Sequence, residues 1–325
     1  MSEPQTWREL LGQCLTSGQE KERIASLVGV NPLTLTRWVN DEAKPRLSNI
    51  HRLLDALPKY RSQFLELLPD DLKPVFDEAK GLDGEHEIPT PFYTSVLNAF
   101  TTTAPALRFR AICDLILLQA LQQLDPNRVG IEITVVRCMP PAPQYIRSLR
   151  ETVGLGTNFW ERGLDQRTMF LGAESLAGYV VASGRPLAIQ TRSEWQYLFP
   201  AHWISGEESA AAHPIIRAGR IAGCLLVSCS QPNFFLPSRL DLMQSYAHLL
   251  VLAFMQEEFY EFERIALKIM PSYERQKVIL STIRQRMSDM MKQAASKQQP
   301  LNMKEAEQMI WQQLEEELLQ LQSFR

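Results

Sequence analysis

The chain has 325 residues, more than one ordinary hydrophobic core needs, so two or three domains are expected. With 45% apolar residues, 22% charged residues and a net charge of −3, it is an ordinary globular composition, without a basic tail that would hold polyanions indiscriminately. Five cysteines, Cys14, Cys113, Cys138, Cys224 and Cys229, form no CxxC pair and have no histidine beside them, which argues against a zinc site or disulfide framework and predicts a reducing compartment.

At the N-terminus MSEPQTWREL lacks the basic start and apolar run of a signal peptide, and apolar runs such as Leu249 to Met255 are too short to span a bilayer. A soluble, cytoplasmic protein with no membrane partner is expected. From Gln19 to Leu57 the spacing predicts two short helices meeting at a tight turn. Ile24, Ala25, Leu27 and Val28 give the first a buried stripe, Gly29 turns the chain, and Asn31 followed by Pro32 opens the second as N-cap and first helical residue. Leu35, Trp38 and Val39 recur on one inward face, which leaves Leu33, Thr34 and Arg37 outward together. Lys44 and Arg46 flank Pro45 in the next loop, and Ser48 is expected to cap a further helix through Ile50, Leu53, Leu54 and Leu57.

The runs GVNPLTLTRW and KPRL, with Gln19 opening the first helix, resemble the DNA-binding domain of the XRE (Cro/C1-type) helix-turn-helix regulators. The resemblance covers about a fifth of the chain. It implies double-stranded DNA as partner, read by Gln19, Asn31, Leu33, Thr34, Arg37, Lys44 and Arg46. In such modules the second helix enters the major groove, where an arginine pairs with guanine or phosphate and an apolar residue packs on a thymine methyl. The segment departs from the family at Val39-Asn40-Asp41-Glu42-Ala43, where relatives carry a Trp-Glu-x-Gly turn. Glu20 to Arg61 holds eight basic and five acidic residues. So small an excess predicts weak nonspecific affinity, and tight binding then needs two modules on paired half-sites.

Helical spacing persists from Tyr60 to Phe76, and the glycine, proline and acids of residues 81–91 read as a linker. Phe92 to Phe100 predicts a short helix. Ala106 to Leu124 predicts a longer one with Leu107, Ala111, Leu115, Leu118 and Leu121 on its stripe. Strands are expected at Ile131 to Val135, Tyr145 to Leu149, Arg167 to Leu171 and Leu187 to Gln190, with a loop at Gly154 to Gly163. Glu174 to Ala182 reads as a helix closed by Gly184, Arg192 to Glu208 as irregular, and Ala211 to Cys229 as a hairpin turning at Ala218-Gly219. From Pro237 a long helix is expected, extended through Phe259, Phe262, Ile265 and Ile269 to Pro271. Further helices follow at Val278 to Met290 and, behind an Asn302/Glu305 capping box, through Ile310, Leu314 and Leu318.

The order GAESLAGYVVASGRPLAI, SAAAHPIIRAGRIAGCLLVSCS and FFLPSRLDLMQSYAHLLVLAF resembles a GAF domain over about half the chain. The resemblance implies an antiparallel sheet with flanking helices, a small-molecule effector between sheet and covering loops, and pairing through terminal helices. Candidate pocket residues are Phe159, Trp160, Tyr179, Trp195, Tyr197, His202 and Trp203. No cysteine precedes a histidine as in bilin-binding relatives, and the N-K-x-F-x-D-E cyclic-nucleotide signature is not visible, so no cofactor is identified. The sequence therefore predicts a multidomain α and α+β protein. It is divided into a helix-turn-helix domain (1–80), a linker and short helix (81–103), a GAF-like sensor domain (104–255) and a C-terminal helical dimerisation region (256–325). The expected function is a non-enzymatic, homodimeric transcriptional regulator. The competing classes are a protein-binding scaffold and a GAF-fold thiol reductase, the last requiring a low-pKa thiol beside a resolving one.

Overall fold

The computed structural model describes residues 6–15, 17–57, 60, 63–64, 67–68, 87–157, 169–199, 206–297 and 301–323. The chain divides into two compact units, residues 1–90 with 233–242 and residues 91–232 with 243–325. Most of the expected helix between Tyr60 and Phe76, and residues 81–86 of the expected linker, lie outside the described residues.

The first unit begins with α1 (Trp7–Cys14), which the sequence pattern did not reveal, capped by the Thr6 hydroxyl accepting from the Glu9 amide. Helix α2 (Gly18–Val28) is capped in the same way by Ser17, and Gly29 ends it at φ +75°, a left-handed conformation that glycine adopts without penalty. Helix α3 (Pro32–Val39) starts as expected, Asn31 Oδ1 accepting from the Leu33 amide at 2.9 Å with Pro32 in the first turn. Helix α4 (Leu47–Ala56) begins one residue before Ser48, with Arg46 at its N-cap and no side-chain cap bond, so Ser48 is not the cap. The core joins Trp7, Leu10 and Leu11 to Ile24, Val28, Leu35, Trp38, Leu53 and Leu54, with Phe64 and Leu68 packed beneath. Asp41 takes φ +60°, and Arg8 secures that loop by an ion pair to Asp41 and a hydrogen bond to the Trp38 carbonyl.

In the second unit α5 (Thr90–Thr102) and α6 (Pro105–Leu124) precede strands β1 (Ile131–Cys138), β2 (Leu149–Gly156) and β3 (Phe170–Leu171). Then come α7 (Leu176–Ser183), β4 (Leu187–Ile189), α8 (Arg192–Leu198), β5 (Ser209–Arg217) and β6 (Arg220–Cys229). The six strands form one antiparallel sheet ordered β3-β2-β1-β6-β5-β4. The β5–β6 turn places Ala218 at φ +49° and Gly219 at φ +77°, as a tight hairpin requires. Along β1, alternate residues serve opposite faces: Ile131, Ile133 and Val135 lie toward α6, while Val136 packs with Leu176, Val180 and Trp195 under α7 and α8.

Several sequence expectations are corrected here. The second strand is β2, not Tyr145 to Leu149, and it runs through Gly154 and Gly156, which were expected to form a loop. Part of the expected irregular stretch is helix α8. Helix α6 buries Ile112, Cys113, Ile116, Leu117, Ala120 and Leu124, whereas Leu107 is 66% and Leu118 52% exposed, so the buried face is opposite to the stripe expected. Helix α9 (Pro237–Leu250) stops in the short 3-10 turn Val251–Ala253, and Phe259, Phe262, Ile265 and Ile269 do not extend it. That segment instead crosses the strand ends in short turns and extended chain: Tyr260 exchanges backbone hydrogen bonds with Ile221, and Ile146 with Arg264 and Ala266.

The C-terminal helices are α10 (Tyr273–Leu280), α11 (Ile283–Ser296) and α12 (Met303–Ser323). The capping box of α12 is formed, Glu305 N–H to Asn302 Oδ1 at 2.9 Å and Asn302 N–H to Glu305 Oε2 at 3.2 Å. Its apolar stripe, Ile310, Leu314 and Leu318, is fully buried against Met139, Phe170, Met270 and the neighbouring helices. These three residues therefore pack within the chain. Two polar ties lock α12 and α10 to the sheet. Glu315, 1% exposed, accepts from Ser148 Oγ at 2.6 Å and Arg147 at 3.1 Å; Gln276, also 1% exposed, exchanges two hydrogen bonds with the Phe170 backbone.

Candidate functional site

Two surfaces gather the residues singled out in the sequence. On α3, Leu35 and Trp38 are buried, so their opposite edge faces outward: Leu33 is 67% exposed, Arg37 is exposed and Thr34 is half-buried. Leu33 thus leaves an apolar side chain in solvent on a helix whose other face is packed. The turn that sets this edge is crossed by the Arg52 side chain. A Cβ on Gly29 would stand 3.1 Å from an Arg52 guanidinium nitrogen, and that guanidinium donates to the Val28 carbonyl. Gln19 is exposed in the first turn of α2, and Lys44 and Arg46 are exposed in the loop between α3 and α4. Asn31 is exposed, but its oxygen is occupied in capping α3.

The second surface is a covered cavity between the sheet and α7. The start of α7 is held by a chain of small residues. Ser175 Oγ accepts from the Gly178 amide at 3.0 Å and donates to the Gly172 carbonyl at 2.8 Å, and a Cβ on Gly178 would lie 1.9 Å from that carbonyl. Its end is closed by Gly184 at φ +66°, with the Phe262 ring where a side chain would go. Strand pairing sets Glu132 opposite Ser228 and Thr134 opposite Leu226 on the cavity floor; Glu151 joins from β2, and Glu207 enters beside β5, accepting a hydrogen bond from Ser228. Ser175, Leu176, Ala177 and Trp195 form the cover. The enclosed space is only about 10 Å³, room for roughly one water.

Trp195 thus lines the cavity. Tyr179 and Tyr197 do not: Tyr179 is 46% exposed and meets Phe199 edge to face, and Tyr197 is 86% exposed. Phe159, Trp160, His202 and Trp203 lie outside the described residues. Sequence reasoning sought aromatic walls and missed the three carboxylates, because Glu132, Glu151 and Glu207 meet only through strand pairing; alternation along β1 was the one local signal.

The thiols are buried free cysteines. Burial pushes Cys14 up to about 11 and Cys138 to about 12, and raises Cys113 and Cys224 further. Cys224 and Cys229 sit five residues apart on β6, so the strand alternation turns them to opposite faces. Among the described residues no group of three or more histidine, cysteine, aspartate or glutamate side chains is arranged to hold a metal ion. No described helix is long and apolar enough to cross a membrane.

Residues 108–254 match the family model of the GAF domain, so the sheet, its helices and the cavity together are a GAF domain. Solved structures similar to the chain include the GAF domain from Acinetobacter phosphoenolpyruvate-protein phosphotransferase, at 15% identity over 50% of this chain and 90% of that one, with a TM-score of 0.36. The type II free methionine-R-sulfoxide reductase from Thermoplasma acidophilum is similar at 15% identity over 44% and 89%, TM-score 0.33. The chromophore-binding domain of a bacteriophytochrome from R. palustris is similar at 12% identity over 50% and 60%, TM-score 0.32. No curated protein matches the sequence.

Proposed function

We propose that the chain is a sequence-specific DNA-binding transcriptional regulator of the XRE type, in which the GAF domain acts as a sensor or pairing module. The observation that carries this reading is the free edge of α3. Leu33 and Arg37 are exposed while Leu35 and Trp38 anchor the same helix, and the Gly29 turn and Asn31 cap fix its entry. Such an edge offers an apolar contact for a thymine methyl, a fork for guanine or phosphate, and a hydroxyl between them. Lys44 and Arg46, exposed in the following loop, would meet phosphates. The thiols support a non-enzymatic reading, since buried groups with raised pKa values are poor nucleophiles near neutral pH, and free thiols suit a reducing cytoplasm.

The large apolar residues exposed on α5 and α6, Tyr93, Leu97, Leu107 and Leu118, and on α12, Met303, Met309 and Leu321, are the candidates for pairing. An effector at the α7 cavity requires its cover to move, since the present space holds about one water. Such an effector would shift the spacing of two reading heads only by favouring one arrangement over another.

The test is selection of duplex DNA from a random pool by the full chain, followed by mobility shifts across a salt series. Binding that weakens with salt and falls by about 1–3 kcal/mol in Arg37→Ala is expected. The exposed Leu33 also fits a protein-binding scaffold. Failure to enrich any duplex, or salt-independent retention, would favour that class instead.

A further inference from the structure

A groove of about 360 Å³ opens where the ends of β1 and β2 meet the Phe254–Tyr260 segment and α12, on the sheet face opposite the α7 cavity. Its size falls within the range of small-molecule sites. Arg137 and Arg150 stand directly across from each other on β1 and β2, two like charges side by side. Arg137 is compensated, forming an ion pair with Glu258 and lying 4.1 Å from the centre of the Phe109 ring. Arg150 is different. Its guanidinium is stacked 4.0 Å from the centre of the Trp311 ring, and among the described residues no carboxylate or carbonyl takes a hydrogen bond from it. Desolvation and then Arg137 push its pKa down to about 9, with Glu307 acting more weakly the other way. A desolvated guanidinium held in place by an aromatic ring is a preformed fork for an anion.

The rest of the lining narrows what that anion can be. Once the Arg137–Glu258 pair is set aside, the groove retains one cation, Arg150, and the carboxylates of Glu257 and Glu307, the latter accepting from the Trp311 indole at 3.0 Å. A simple anion at Arg150 would face both carboxylates, and a simple cation would face Arg150. A molecule carrying both charges satisfies each side. Met139, Phe254, Tyr260 and Trp311 supply apolar wall for the remainder.

We propose that this groove binds a small zwitterion of the free amino acid class with an apolar or aromatic side chain. Its carboxylate is taken by Arg150 and its ammonium group by Glu257 and Glu307. Because α12 contributes Trp311 and Glu307 while the sheet contributes Arg150, an occupant bridges the C-terminal helices to the sheet.

The test is calorimetric titration of the full chain with each of the twenty L-amino acids, then with the carboxamide and N-acetyl forms of any that bind, and with inorganic phosphate. At least one apolar or aromatic amino acid is expected to bind. Removing either charge from that ligand should weaken binding by about tenfold or more, and phosphate should not compete. Arg150→Gln should weaken the same ligand at least as much. The ligand analogues act on the unaltered protein, so the comparison stands even if that variant is unstable. The proposal is overturned if no amino acid binds, if the carboxamide or N-acetyl form binds as well as the parent, if phosphate competes for the site, or if a folded Arg150→Gln chain keeps full affinity.

Discussion

Glu315 gives the most quantitative test of how the C-terminal helices are attached. The carboxylate is 1% exposed and meets the hydroxyl of Ser148, itself fully buried, at 2.6 Å, and Arg147 at 3.1 Å. Replacing Glu315 with leucine orphans the Ser148 hydroxyl, which costs about 1–3 kcal/mol. The loss at Arg147 is smaller, because its guanidinium keeps Glu316 at 2.9 Å in a position that water reaches. Removing a buried carboxylate also relieves its own desolvation, which offsets part of the cost. A net destabilisation of about 1–3 kcal/mol is therefore expected for Glu315→Leu in urea unfolding followed by tryptophan fluorescence. Glu315→Leu combined with Ser148→Ala should recover to within about 1 kcal/mol of the parent, since both polar partners are then gone. If the double variant instead loses the sum of the two single losses, the groups are not coupled and the account of α12 docking is wrong.

Further outcomes follow from the same geometry. Gly178→Ala should lower stability toward the upper end of about 1–3 kcal/mol in thermal unfolding, because its methyl group would lie 1.9 Å from the Gly172 carbonyl; an unchanged melting temperature would show that α7 is not clamped there. Burial holds His213 below its usual pKa, with His248 adding to the effect against the Pro214 carbonyl. The folded state thus binds this proton less readily than the unfolded one. The stability that His213 contributes is present above about pH 6.5 and is lost as pH falls. His213→Gln should flatten that part of a melting temperature profile, and an identical profile would remove His213 as its source. The five thiols should resist a disulfide reagent at pH 8 in the native chain and all react in denaturant; rapid native labelling of any one would contradict the burial described.

The turn between α2 and α3 was legible because everything that specifies it is local: Gly29, the Asn31 cap, Pro32 and two short stripes between Ile24 and Val39. The α5–α6 region shows the opposite case. Helix α6 carries leucine, isoleucine or alanine on nearly every face, so periodicity alone could not choose between Leu107/Leu118 and Ile112/Ile116. Only the position of β1 and β2 decides. Phe259, Phe262, Ile265 and Ile269 mimic a helical repeat, yet the first three pack inward as the chain crosses the strand ends in short turns, and Ile269 stays exposed. For the cavity, strand alternation pointed Glu132 to a face, but Glu151 and Glu207 reach it only by pairing across much of the domain. The Arg137–Arg150 apposition is equally nonlocal, and no window of sequence contains it.

The pair of hydrogen bonds between Gln276 and the Phe170 backbone has a consequence for association. Strand β3 is the outermost strand on its side of the sheet, and its free peptide groups would ordinarily template a foreign chain. The Gln276 carboxamide answers the Phe170 N–H and C=O at 2.8 Å each, as an adjoining peptide unit would. A helix side chain thereby closes the sheet where intermolecular zippering would otherwise begin.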